Sequence, residues 1–172
     1  MSKPKGHRFW RWSLNTYELP GVKNRLIYLQ DDFGFDVNLA LWCVWRASEG
    51  ETLSEDALRA AIRATTEWAD GVVEPLREAR INAHEIGPAE FYTLLKEIEL
   101  AGERHEQDIL FKLSRPATPV EREPMLAAAR DNIALYASLM DAPRRDGFSS
   151  ALLRDLIDHI FPDENQQAAG QA

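Results

Sequence analysis

Cysteine is nearly absent: Cys43 stands alone in 172 residues, so no disulfide can form within the chain. Long apolar runs are missing too. The longest, residues 39–45, falls far short of the ~20 residues that span a bilayer. The start, MSKPKGHRFWRW, is basic but has no apolar segment of signal-peptide length, so a cytoplasmic location and no membrane insertion are expected. Nowhere do β-branched and aromatic residues alternate between turn residues, which leaves little for strands. Nucleophile elbows, phosphate loops, dinucleotide fingerprints and zinc-type Cys/His spacings are also missing. No metal or cofactor is therefore expected, no catalytic residue is assigned, and an enzyme is the less favoured class. Cations are the scarcer charge, 20 Lys and Arg against 28 Asp and Glu, for a net −8. Such a chain is repelled by phosphate backbones, which argues against nucleic acid as a partner.

What is there is helical spacing. Hydrophobic residues make up 45% and charged residues 28%, the mix of a folded domain. Trp10, Leu14 and Tyr17 sit at i, i+4, i+7 of a short helix over 7–18. Pro20 suits the first turn of a second helix whose stripe is Val22, Leu26, Leu29 and Phe33. Gly34 can supply its left-handed stop and Asp36 the cap of the next helix. That third helix, 36–48, is apolar on every side, the mark of a central helix. Ser54 opens a long helix with Leu58, Ile62, Thr65, Ala69, Val72, Leu76 and Ala79 in phase. Pro75 predicts a kink at 71–75, because proline removes a hydrogen bond and crowds the carbonyl of Gly71. Gly87-Pro88 turns the chain into a helix over 88–114, striped by Phe91, Leu94, Leu95, Ile98, Gly102, His105, Ile109 and Leu113. The short connection predicts an antiparallel hairpin. Two further helices carry Leu126, Ala129, Ile133, Tyr136 and Met140, then Leu152, Leu153, Leu156, Ile157 and Ile160. The expectation is an all-α, single-domain bundle of six or seven helices around residues 36–48. Residues 119–161 add C-terminal helices to a core over 9–115, and a polar tail over 163–172 is expected to be disordered.

Several segments, in order, resemble a family of small all-helical proteobacterial proteins catalogued only as a domain of unknown function. They are FWRWSLNTYELPGV, LIYLQDDFGFDVNLALWCVW, the stretch from Trp68 through VVEPLREAR, and KEIELAGERHEQ. The matching positions include Phe9, Trp10, Tyr17, Pro20-Gly21-Val22, Gly34, Asp36-Val37-Asn38, Trp45, Trp68, Pro75-Leu76-Arg77, Arg80, Glu99 and Glu103. The resemblance covers residues 9–110. It implies a helical fold and no particular activity.

Five constellations bear on chemistry. Asp31, Asp32 and Asp36 resemble the aspartates that hold Mg²⁺–diphosphate in prenyl-type enzymes, but Gly34 interrupts them and a capping role for Asp36 is expected. Glu99, Glu103 and Glu106 border the apolar stripe near His105. No Glu-x-x-His pairs accompany them, and pairing of the glutamates with Arg77 and Arg80 across the hairpin is expected. The tryptophans Trp10, Trp12, Trp42, Trp45 and Trp68 are core or line a ligand pocket. The basic-aromatic start, with Lys3, Lys5, His7, Arg8 and Arg11, is expected to be solvated while Phe9 and Trp10 dock. Cys43, on the apolar helix, reads as an inert buried thiol.

These observations favour a non-enzymatic protein-interaction or regulatory module whose partner is another protein. The candidate binding residues are Trp10, Asn38, Trp45, Trp68, Arg77, Arg80, Glu99 and Glu103. The alternative is a bundle that binds a small molecule or cofactor in a tryptophan-lined pocket. Nothing in the pattern fixes an oligomeric state.

Overall fold

A computed structural model describes residues 6–163. Lys3, Lys5 and the tail beyond residue 163 lie outside them. The described residues hold eight α-helices and no strand: α1 Arg8–Tyr17, α2 Val22–Phe33, α3 Val37–Ser48, α4 Glu55–Trp68, α5 Glu74–Ile86, α6 Ala89–Lys112, α7 Arg122–Leu139 and α8 Ser150–Ile160. A π-helical turn, Ala69–Val73, joins α4 to α5 without a break, so the chain makes seven rods.

Local chemistry sets most of the boundaries. The side chains of Asp36, Ser54 and Ser149 accept hydrogen bonds from Leu39, Ala57 and Ala151 N–H, capping α3, α4 and α8. Gly34 ends α2 at φ 68°, its N–H donating to Gln30 O, a conformation that a side chain would strain. Pro20 lies in the turn ahead of α2 rather than in its first turn. Gly21, at φ 80°, occupies the cap.

α3 is the centre, buried from Asn38 to Ala47. α2 and α8 close one side of it, and α7 lies along it with Leu126, Ala129, Ile133, Tyr136 and Ala137 in the shared core. Asn132 of α7 locks this packing. Its side-chain N–H groups donate to Cys43 O and Glu51 O at 3.0 Å each, and its oxygen accepts from Leu53 N–H at 2.7 Å. The C-terminal helices thus complete the core. Arg46 departs from the apolar pattern of α3: it is fully buried, pairs with Glu51 and lies 5.1 Å over the Trp45 ring.

Three stripes differ from their sequence reading. In α1 the buried residues are Phe9, Trp10, Ser13 and Thr16, while Leu14 and Tyr17 are only half-buried. The small Ser13 and Thr16 face α3 and α6 because they let the helices approach. In α4–α5 the phase is not kept. Val73, not Val72, is buried and Ala79 is exposed. The reason is Pro75: the kink takes the form of a π turn, where Glu74 N–H reaches back to Ala69 O. One extra residue per turn rotates everything that follows.

The third difference is the largest. α6 buries Leu95, Glu99, Gly102, Glu106, Gln107 and Leu110, so that only Leu95 and Gly102 of the predicted stripe are buried. Phe91, Leu94, Ile98, Leu113 and His105 are exposed. The buried set has the same helical period as an apolar stripe, but polar groups on α1, α3 and α5 select it.

Candidate functional site

The inner half of α6 carries a continuous buried polar chain. Ser13 Oγ–H donates to Gln107 Oε1, Gln107 Nε2–H to Asn38 Oδ1, and Asn38 Nδ2–H to Glu106 Oε2, each at 2.8 Å. Every link is buried, so each donor needs its acceptor. Glu106 Oε1 is buried and receives no donor, and Asp36 lies near enough for its charge to act on the Glu106 carboxyl. A proton on Glu106, donated to Asp36, satisfies both. Burial first, then the negative charge of Asp36, pushes the Glu106 carboxyl well above the carboxylate range, so it stays protonated at neutral pH. Asp36 in turn caps α3, and its own N–H donates to Tyr136 Oη at 3.0 Å. Hydrogen bonds thus join α1, α6 and α3, and Asp36 ties the start of α3 to α7.

Above it lies the ion-paired seam of the α5–α6 hairpin. Arg80 grips both oxygens of Glu99, and Arg77 Nε stands 3.4 Å from Glu99. Arg77 also reaches Glu103 at 3.6 Å and Glu74 at 2.6 Å. The expected pairing of Arg77 and Arg80 with Glu99 and Glu103 is present, and it is internal to the hairpin. Burial, then the charge of Glu99, pushes Glu103 up to about 7. Burial and Glu103 in turn raise the Tyr17 phenol.

A cavity of about 260 Å³ opens beside this seam, where the end of α2 and the start of α3 meet the π turn and α5. Asp36, Asp70, Glu74 and Arg77 line it with Gly34 and Val73. Its wall is acidic apart from Arg77. A second cavity, about 240 Å³, lies between α2 and α8 and is bounded by Arg25, Tyr28 and Asp155.

The other sequence candidates scatter. Trp10 and Trp45 are core residues, Trp45 stacking on Phe9 with ring centroids 5.0 Å apart. Trp68, half-buried, donates its indole N–H to Gly102 O at 2.9 Å and lies 4.5 Å from the His105 ring. No tryptophan lines either cavity. Asp31 and Asp32 are exposed on the last turn of α2, across Gly34 from Asp36, and share no face with it. Among the described residues, no three His, Cys, Asp or Glu side chains gather as a metal site. His7 joins the fold: its Nδ1 accepts from Trp10 N–H and its ring stacks on Phe111. Cys43 is buried, and its thiol is pushed up by that burial.

Sequence reasoning missed Ser13 and Gln107. It also named Asn38 and Glu106 without joining them. The signal was present as a helical period, Glu99, Gly102, Glu106, Leu110, but a hydrophobicity pattern cannot register a stripe made of glutamates.

The hairpin also exposes its apolar residues. Among the described residues, six of the nine large apolar side chains left exposed are Ile81, Ile86, Phe91, Leu94, Ile98 and Leu100. Phe91, Leu94 and Ile98, spaced by three and four, share one flank of α6. The same flank runs inward to His105, where Trp68 of α4 covers it. Beyond the π turn α4 has ended, and the flank lies bare. Among the described residues, the side-chain hydrogen bonds from α6 to α1 and α3 lie at Glu106 and Gln107, and the outer hairpin, mostly exposed on both helices, projects from the bundle.

The sequence pattern of one protein family, described as Protein of unknown function (DUF2390), matches residues 8–110. No curated protein and no solved structure matches the chain.

Proposed function

We propose that the chain, which belongs to the DUF2390 family of proteins of unknown function, is a cytoplasmic protein-interaction module that docks its partner on the apolar flank of the α5–α6 hairpin. The observation that carries this reading is the bareness of Phe91, Leu94 and Ile98, each close to half exposed, on a projecting hairpin. Contiguous exposed apolar surface on a folded domain marks interaction sites. The charges that the sequence offered for meeting a partner, Arg77, Arg80, Glu99 and Glu103, are spent on holding the hairpin together. They set its shape and leave recognition to the residues around them. The fully buried Cys43 fits a reducing compartment. Among the described residues, no helix is long and apolar enough to cross a membrane.

The test is affinity capture with two baits, the native chain and Leu94→Asp. A protein recovered repeatedly by the first and lost from the second supports the reading. Recovery of the same proteins by both baits, or of none, sinks it.

A second reading rests on the acidic cavity at the π turn. Asp36, Asp70 and Glu74 would suit a small cation, such as an organic amine, packed against Val73. π-helical turns often accompany functional sites. Melting curves of the native chain and of Asp70→Asn against a panel of small amines test it. No amine-dependent shift in the native chain removes this reading.

A further inference from the structure

The glutamates around the bare flank narrow the kind of partner. Glu90 and Glu97 stand at i−4 and i+3 from Leu94, along the outer border of the Phe91–Leu94–Ile98 stripe. On α5, Glu78 and Glu85 stand at i−3 and i+4 from the exposed Ile81, adding negative charge to the hairpin. All four are exposed, and none makes an ion pair among the described residues. The cations of the hairpin do not balance them. Arg77 and Arg80 are held by Glu74, Glu99 and Glu103, which leaves Lys96 as the exposed lysine of the outer hairpin. The bare stripe thus has an acidic outer border at Glu90 and Glu97, on a chain of net charge −8.

We infer that the flank receives an amphipathic helix of another protein, with an apolar stripe bordered by lysines or arginines. This inference rests on the hairpin being the docking surface. The shape of the site favours a helix. A single stripe with side chains three and four apart, running along a straight α-helix, matches the ridge spacing of a second helix laid beside it. Charge complementarity then sets the partner's sign, since opposite rims steer encounter and like rims suppress it.

The same charges weigh against the other occupants. A second copy docked flank to flank would bring Glu90 and Glu97 of both copies together. An anionic membrane surface would be repelled by the same border. The chain's own terminal segment, ENQQAAGQA over residues 164–172, has no large apolar side chain with which to fill the stripe.

Two labelled helical peptides test the inference on the full chain. They share one Leu/Ile stripe and differ only in their flanking positions, lysine in one and glutamate in the other. Fluorescence anisotropy should show the lysine peptide binding at least about tenfold more tightly. That preference should shrink as salt rises and reverse in Glu90→Lys/Glu97→Lys. Leu94→Asp should lose both peptides while melting like the native chain. Equal binding of the two peptides overturns the basic partner and leaves the apolar docking surface standing. Binding of neither overturns both. A concentration-dependent dimer that Leu94→Asp dissolves makes the occupant a second copy, and binding to vesicles of phosphatidylserine makes it a membrane; either result overturns the inference.

Discussion

The two halves of α6 invert each other. The inner half, from Glu99 to Leu110, buries glutamates and a glutamine. The outer half, from Ala89 to Ile98, buries only Leu95 and exposes Phe91, Leu94 and Ile98. Both belong to one helix with one period. The inner half meets Ser13, Asn38 and Asp36, which give its polar groups partners, so burial is compatible with polarity there. The outer half runs beside α5, and Phe91, Leu94 and Ile98 stay exposed on its flank. Burial follows what a residue meets, not its own hydrophobicity.

The sharpest break of this contrast is Asn38→Ala. It leaves Glu106 and Gln107 buried and short of partners, and should cost about 3 kcal/mol in urea unfolding. Leu126→Ala, an ordinary core truncation, serves as the reference of similar size. An Asn38→Ala cost below about 1 kcal/mol would mean that water or rearrangement replaces the polar chain.

Next is the proton on Glu106. Its carboxyl is raised in the fold above its ordinary value of 4.5, so the folded chain keeps a proton that the unfolded chain releases. Its contribution is complete below pH 4.5 and is lost as pH rises, by roughly 1 kcal/mol for each pH unit. Glu103, raised to about 7, adds to the same trend between pH 4.5 and 7. Glu106→Gln can accept from Asn38 and donate to Asp36 without a titrating proton. Its melting temperature should match the native value near pH 4 and exceed it increasingly toward pH 8. Parallel pH profiles of the two proteins would refute the shared proton.

A smaller effect is expected at Gly102. A Cβ built there would lie 3.5 Å from Val73 Cγ2 and 3.7 Å from Leu76 Cδ1, ordinary contact distances. Gly102→Ala should therefore gain up to about 1 kcal/mol from helix propensity, read as a higher urea midpoint. A loss would show that α6 and the π turn need closer approach than these distances allow. Smallest of all is the outer half. Leu94→Ser should change unfolding free energy by less than about 0.5 kcal/mol, because the side chain is already half in water. A larger loss would place Leu94 in the folding core and weaken its assignment to a partner.

Much of the fold was legible in the sequence. The caps at Asp36 and Ser54, the stop at Gly34, the largely apolar α3 and the hairpin at Gly87-Pro88 are local chemistry, and each stands where its residues direct it. The family resemblance was legible as well. The functional site was not. Hydrophobic periodicity assigned Phe91, Leu94 and Ile98 to the core and Glu106 to its border, and both assignments fail. Pro75 announced a kink but not a π turn, so it did not announce the rotation that buries Val73 and exposes Ala79.

The sequence by itself determined the caps of α3 and α4, the stop of α2 and the hairpin turn, and that α3 lies at the centre. These follow from backbone capping and from an apolar surface that leaves no wet side. Only the tertiary structure decided which face of α6 is buried and which is left exposed. That choice depends on polar groups more than 60 residues away in the chain, Asn38 meeting Glu106 and Gln107. A buried carboxyl is tolerable only when such a partner is already in place.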